Sequence, residues 1–133
     1  MEQTPKFSQD TVLGQKVTDV RRQLDTFELP AGVTDVSYTS DEVTSNCPIT
    51  GQPDFYEVTI NLISAHLGLE SKSLKLYLQS FREDGQFCEQ FAATIAGDVS
   101  VAVGTGEVYV TVVQKPRGGV SINAEAYASQ KGI

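Results

Sequence analysis

The run Phe55-Tyr56-Glu57-Val58-Thr59-Ile60-Asn61-Leu62-Ile63 decides how the chain is read. It alternates with a period of two, which sends successive side chains to opposite faces of a sheet and predicts a strand. Just ahead of it stands Cys47-Pro48-Ile49-Thr50-Gly51-Gln52-Pro53-Asp54. Two prolines and a glycine stiffen this loop, because proline fixes φ and glycine allows a tight turn. The loop carries one of the chain's two cysteines, and an acid lies seven residues beyond the sulfur. A thiolate is a strong nucleophile, and a nearby carboxyl can shuttle its proton during attack. Cys47 and Asp54 are therefore candidate catalytic residues. The plainer reading of Cys47 is a packed, inert thiol in a turn before a strand.

Outward from this centre, Val33 to Thr44 is rich in β-branched and aromatic residues and predicts a preceding strand. Residues 1–32 are polar and mixed, an N-terminal arm lying over the body or against a neighbouring subunit. Within it Val17, Val20 and Leu24 recur at the spacing of a short helix. Residues 33–133 form the single catalytic domain. Beyond the central strand, a loop with His66 leads into Glu70 to Arg82, where Leu74, Leu78 and Phe81 share one helical stripe. Glu83-Asp84-Gly85 breaks that helix. Phe87 to Val99 predicts a second helix, with Phe87, Phe91, Ile95 and Val99 four apart. Strands follow at Val108 to Lys115 and Val120 to Ala124, joined by a Pro116-Arg117-Gly118-Gly119 turn. The order is ββααββ, an α+β chain.

Composition narrows the function classes. A length of 133 residues sets one domain with room for a real core, and a formal net charge of −7 argues against direct nucleic-acid binding. Two cysteines without paired spacing make no disulfide framework. No apolar run reaches the length of a membrane span, and no signal-peptide plan opens the chain, so a cytoplasmic protein is expected.

Taken together, the Cys-Pro-x-Thr-Gly-Gln-Pro-Asp loop, Glu70-Ser71-Lys72-Ser73-Leu74-Lys75-Leu76-Tyr77, Ser80-Phe81-Arg82, Phe87-x-Glu89 and Pro116-Arg117-Gly118-Gly119 resemble one family. This is the short, single-module NADPH-dependent 7-cyano-7-deazaguanine (preQ0) reductases of queuosine biosynthesis, a tRNA-modification pathway. The resemblance runs from about Thr44 to Ile122. It implies the tunnelling fold, a ββααββ unit whose copies close into a ring, and a homo-oligomer of pentameric rings pairing into a decamer. It implies a deazapurine substrate, with Cys47 adding to the nitrile as a thioimidate and Asp54, carrying a raised pKa, donating the proton. Glu89 would anchor the guanine-like edge through paired hydrogen bonds, with Glu70 and Cys88 also on the substrate side. Ser71, Lys72, Ser73, Lys75 and Arg117 would hold NADPH, the lysines meeting its phosphates.

One departure stands out: where the family usually has histidine before that glutamate, this chain has Cys88. The single histidine, His66, is read as exposed and unrelated. Cys88 is either a small packed residue or, if near Cys47, the partner in a reversible protective disulfide. Two other functions compete. One is an archaeosine-type amidinotransferase, which captures the same nitrile on cysteine but lacks the cofactor motif. The other is a non-catalytic binding protein for a purine-like ligand. A GTP cyclohydrolase reading is weaker, because one histidine and two scattered cysteines are a poor zinc ligand set.

Overall fold

A computed structural model describes residues 22–130. Four long strands form one antiparallel sheet in the order β2-β3-β5-β6: β2 is Asp35–Asn46, β3 Pro53–Ile63, β5 Glu107–Arg117 and β6 Val120–Ser129. The central strand behaves as its alternation predicts. Asp54, Tyr56, Val58, Ile60 and Leu62 are buried, whereas Phe55 and Glu57 are exposed on the other face.

Two helices, α1 (Ser71–Gln79) and α2 (Cys88–Val103), contribute the other half of the core. In α2 the buried stripe is Phe91, Ala92, Ile95, Ala96, Val99 and Val103, which packs on β5 and β6. The helix stops at Gly104, whose φ of 74° is the left-handed cap that glycine adopts without strain. Gly106 has the same φ, and a Cβ there would lie 2.5 Å from the Ile63 carbonyl oxygen, so that turn accepts only glycine. None of the described helices is long and apolar enough to cross a membrane.

The sequence expectation missed two short strands, β1 (Thr26–Glu28) and β4 (Leu67–Leu69), which pair with each other in a separate antiparallel ribbon. At three residues each they show no period at all. The described part of the arm, from residue 22, is therefore built into the body. Arg22 lies 3.9 Å over the Phe81 ring and bonds Asp84 at 2.7 Å, and Asp25 N donates to Ser73 Oγ. Of the helix expected in the arm, Leu24 lies in irregular chain just ahead of β1, while Val17 and Val20 lie outside the described residues.

Element ends also move. Phe87 is the residue before α2, 58% exposed, and α2 runs on to Val103. Pro116 and Arg117, expected in the turn, belong to β5, leaving Gly118 and Gly119 to turn the chain with φ of 60° and 82°. Strand β2 reaches Asn46 through a bulge between Ser40 and Val43, and β6 reaches Ser129.

Candidate active site

Cys47 follows the last residue of β2, and Asp54 is the second residue of β3, so the loop between them is a hairpin connection. The loop is held by its own backbone: Cys47 N donates to Gln52 O at 2.7 Å, and Gly51 N donates to Cys47 O at 2.8 Å. This leaves the Cys47 thiol partly exposed and surrounded by donors. The Thr50 hydroxyl, then the backbone N–H groups of Thr50 and Ile49, favour the thiolate and hold the Cys47 thiol below the ordinary value, against opposing contributions from desolvation and Asp54.

A second segment locks this loop to the start of α2. Residues 84–86 run beside the end of β2: Asn46 N and Ser45 Oγ both donate to Asp84 O, at 2.9 and 2.6 Å, and Gln86 N donates to Asn46 O at 3.3 Å. Gly85 sits so close to Pro48 that a Cβ would meet the Pro48 Cα at 3.2 Å. Two residues later α2 begins, with Cys88 and Glu89 in its first turn.

Asp54 is 3% exposed and faces the Arg117 guanidinium, whose Nη1 donates to Asp54 Oδ1. Arg117 Nη2 donates to Gln52 Oε1 at 2.8 Å. Asp54 is thus held in an ion pair with Arg117. That pair raises the guanidinium further, through the Asp54 hydrogen bond. Beneath lies the Tyr56 hydroxyl, buried and without a hydrogen-bond partner of regular geometry. Burial, then the charges of Asp54 and Cys88, push that phenol well up.

Cys88 is 1% exposed and its Sγ donates to the Val112 and Ile122 carbonyls at 3.5 and 3.8 Å. Burial raises its thiol, and both cysteines are free. Geometrically it is a packed residue fastening α2 to β5 and β6. Glu89 is exposed in the first turn of α2. His66 is exposed beyond the far end of β3 from Cys47.

The cofactor motif divides. Ser71 and Lys75 line a groove of about 480 Å³ between β2 and α1, together with Arg82 and apolar side chains including Val43 and Leu78. The groove thus has a cationic side, with Glu42 also on its wall, above an apolar floor. Glu70, by contrast, spends its carboxylate capping α1, accepting from Ser73 N at 2.7 Å and Lys72 N at 3.1 Å. Ser73 is 1% exposed, its hydroxyl donating to Glu70 O at 2.9 Å. Lys72 is absent from the groove, and Arg117 is committed to Asp54 and Gln52. Sequence reasoning overlooked Thr50, Gln52 and Tyr56. A threonine three residues after the cysteine in a Pro-Gly turn was the available signal for the first.

Four antiparallel strands backed by two helices, with a thiol and a carboxylate meeting at one hairpin, define a tunnelling-fold protein of α+β class. A family model described as QueF-like protein matches residues 53–132, and the chain belongs to that family. The chain is 39% identical over 116 residues to the NADPH-dependent 7-cyano-7-deazaguanine reductase of Frankia casuarinae, covering 87% of this chain and 93% of that one. It is 44% identical over 97 residues to the reductase of the same name from Bacteroides thetaiotaomicron, covering 73% of this chain and 64% of that one. Among solved structures it resembles the apo archaeosine synthase QueF-Like, with a TM-score of 0.67 and 26% identity, over 77% of this chain and 98% of that one.

Proposed function

We propose that this protein is an NADPH-dependent oxidoreductase that reduces the nitrile of 7-cyano-7-deazaguanine to the aminomethyl product, in queuosine biosynthesis. The observation that carries the reading is the Cys47 thiol, turned toward the thiolate by Thr50 and joined by one hairpin loop to Asp54, in a chain whose relatives bear that enzyme's name.

Asp54 takes the Cys47 proton as the sulfur attacks the nitrile carbon. The C–S bond forms, one nitrile π pair moves to nitrogen, and Asp54 returns the proton there. The product is a neutral thioimidate on Cys47. The carboxylate form held by Arg117 suits this sequence, because the acid Asp54 needs in the second half is the one it makes in the first. Glu89 anchors the guanine-like edge with a carboxylate that accepts two parallel hydrogen bonds. Ser71, Lys75 and Arg82 would hold NADPH in the groove beside α1, and the cofactor, when bound, would supply hydride. A nitrile carbon accepts hydride poorly, so covalent capture splits one hard step into easier ones.

A second reading, an archaeosine-type amidinotransferase, is favoured by the likeness to archaeosine synthase and by Cys88 in place of histidine. Mixing the protein with 7-cyano-7-deazaguanine and NADPH separates them. Reduction consumes two NADPH per substrate. A covalent adduct on Cys47 with no NADPH loss sinks the reductase and leaves the amidinotransferase; neither signal leaves a binding protein.

Ring closure belongs to the same proposal. Strands β2 and β6 are the two edges of the described sheet, and an open edge invites pairing with another copy. Pentameric rings pairing into a decamer are expected by light scattering, and a stable monomer that keeps activity would overturn the assembly.

A further inference from the structure

We propose that Arg117 is a positioning residue for the Cys47–Asp54 pair, holding the Asp54 carboxylate and the Cys47 loop in one geometry instead of serving as a cofactor contact. The inference rests on the reading of Cys47 as the nucleophile. Arg117 places its two terminal nitrogens on two parts of the site, Nη1 on Asp54 and Nη2 on Gln52. Gln52 in turn accepts the Cys47 backbone N–H at 2.7 Å. One planar fork therefore fixes the carboxylate and, through Gln52, the residue that carries the thiol.

The backbone is shaped to deliver it. Along β5, Val108, Val110 and Val112 face the core, so a strict period of two would turn Arg117 to the opposite face. The register between β5 and β6 shifts by one residue between Gln114 and Arg117. That bulge reverses the phase and brings Arg117 to the side on which Asp54 is buried. A bulge that re-aims one arginine at a buried carboxylate is a costly feature to keep for a surface turn.

Charge gives the second argument. The groups facing Cys47 and Asp54 are Arg117 from β5, the Tyr56 phenol from β3 and the Cys88 thiol from α2, with Glu89 beyond it. The nearby Asp84 carboxylate is paired with Arg22. Arg117 is the cation of that set. A buried carboxylate that loses its cation is left uncompensated beside a sulfur that must become negative.

The test uses the full-length protein with Arg117→Met and Arg117→Lys, reading iodoacetamide alkylation of Cys47 against pH by peptide mass, together with kcat, NADPH KM and Tm. In the unaltered protein Cys47 should alkylate with a midpoint below the ordinary thiol value and Cys88 only slowly, in line with their opposite shifts. Arg117→Met should raise the Cys47 midpoint by about one pH unit, cutting the rate near neutrality roughly tenfold. Arg117→Lys keeps the charge, so the midpoint should stay near its original place while kcat falls, because an ammonium cannot engage Asp54 and Gln52 together.

An unmoved midpoint in the Met variant overturns the proposal, whether or not Tm falls. So does a raised NADPH KM with kcat and midpoint unchanged, which would make Arg117 a cofactor contact. If the Met variant fails to fold, the Lys variant decides: lower kcat at constant NADPH KM supports the role, and unchanged kcat overturns it. Alkylation needs neither nitrile nor cofactor. A protein that forms no nitrile adduct yet shows the shifted midpoint fails the functional reading and keeps this one.

Discussion

Cys47→Ala is expected to remove reduction, with NADPH oxidation falling on the order of 10⁴-fold or more and no nitrile adduct in the intact mass. The size follows from the chemistry. Without sulfur the nitrile must accept hydride directly, and no other described group can take the thiol's place. Cys88 is buried at 1% exposure and bound to two carbonyls, with its thiol raised by burial. Folding should be little affected, because Cys47 is partly exposed and the loop is tied by backbone groups that alanine retains. An unchanged Tm with lost activity thus assigns the effect to chemistry. A variant that still oxidises two NADPH per substrate would remove Cys47 from the mechanism and take the thioimidate with it.

Much of this architecture was legible because long, one-sided elements advertise themselves. The alternation from Tyr56 to Leu62 and the stripe Phe91, Ile95, Val99 each repeat one face several times, and both pack as their periods require. What was hidden is short or depends on register. Strands β1 and β4 hold three residues each and are strands only because each has the other. The face that Arg117 occupies could not be read from Pro116-Arg117-Gly118-Gly119, since a one-residue bulge sets it. The thiol and its acid were visible as a pair, yet the guanidinium that arrives from β5 to meet the acid was not, because its approach depends on that bulge. The cofactor motif shows the same limit. Eight consecutive residues on one helix start were read together, but a helix points them different ways, so Ser71 and Lys75 reach the groove while Glu70 and Ser73 fasten the helix itself.

The second large effect should come from the core under the site. Phe91→Ala is expected to lower stability by about 3–5 kcal/mol, the range for truncating a buried phenylalanine. For a domain of this length that corresponds to a fall in Tm of roughly 10–20 °C. Phe91 is 0% exposed and stands at a junction of rings. Its centroid lies 5.1 Å from Tyr56 in an edge-on contact and 4.9 Å from Phe81, which itself meets Tyr77 edge-on at 5.1 Å. Removing it opens a void among side chains that cannot close without moving β3 or α2. Both elements carry the site: Tyr56 lies two residues from Asp54, and Phe91 lies three from Cys88 in α2. Activity at a temperature where the variant is still folded should therefore fall as well, because the Asp54 backbone and the α2 start are positioned through this contact. Phe91→Leu, which refills part of the space, should recover most of the stability and the activity with it. Thermal denaturation followed by circular dichroism, with the rate measured well below each variant's Tm, makes the comparison. If Phe91→Ala lost less than about 1 kcal/mol, the ring junction would not be the support on which this site rests.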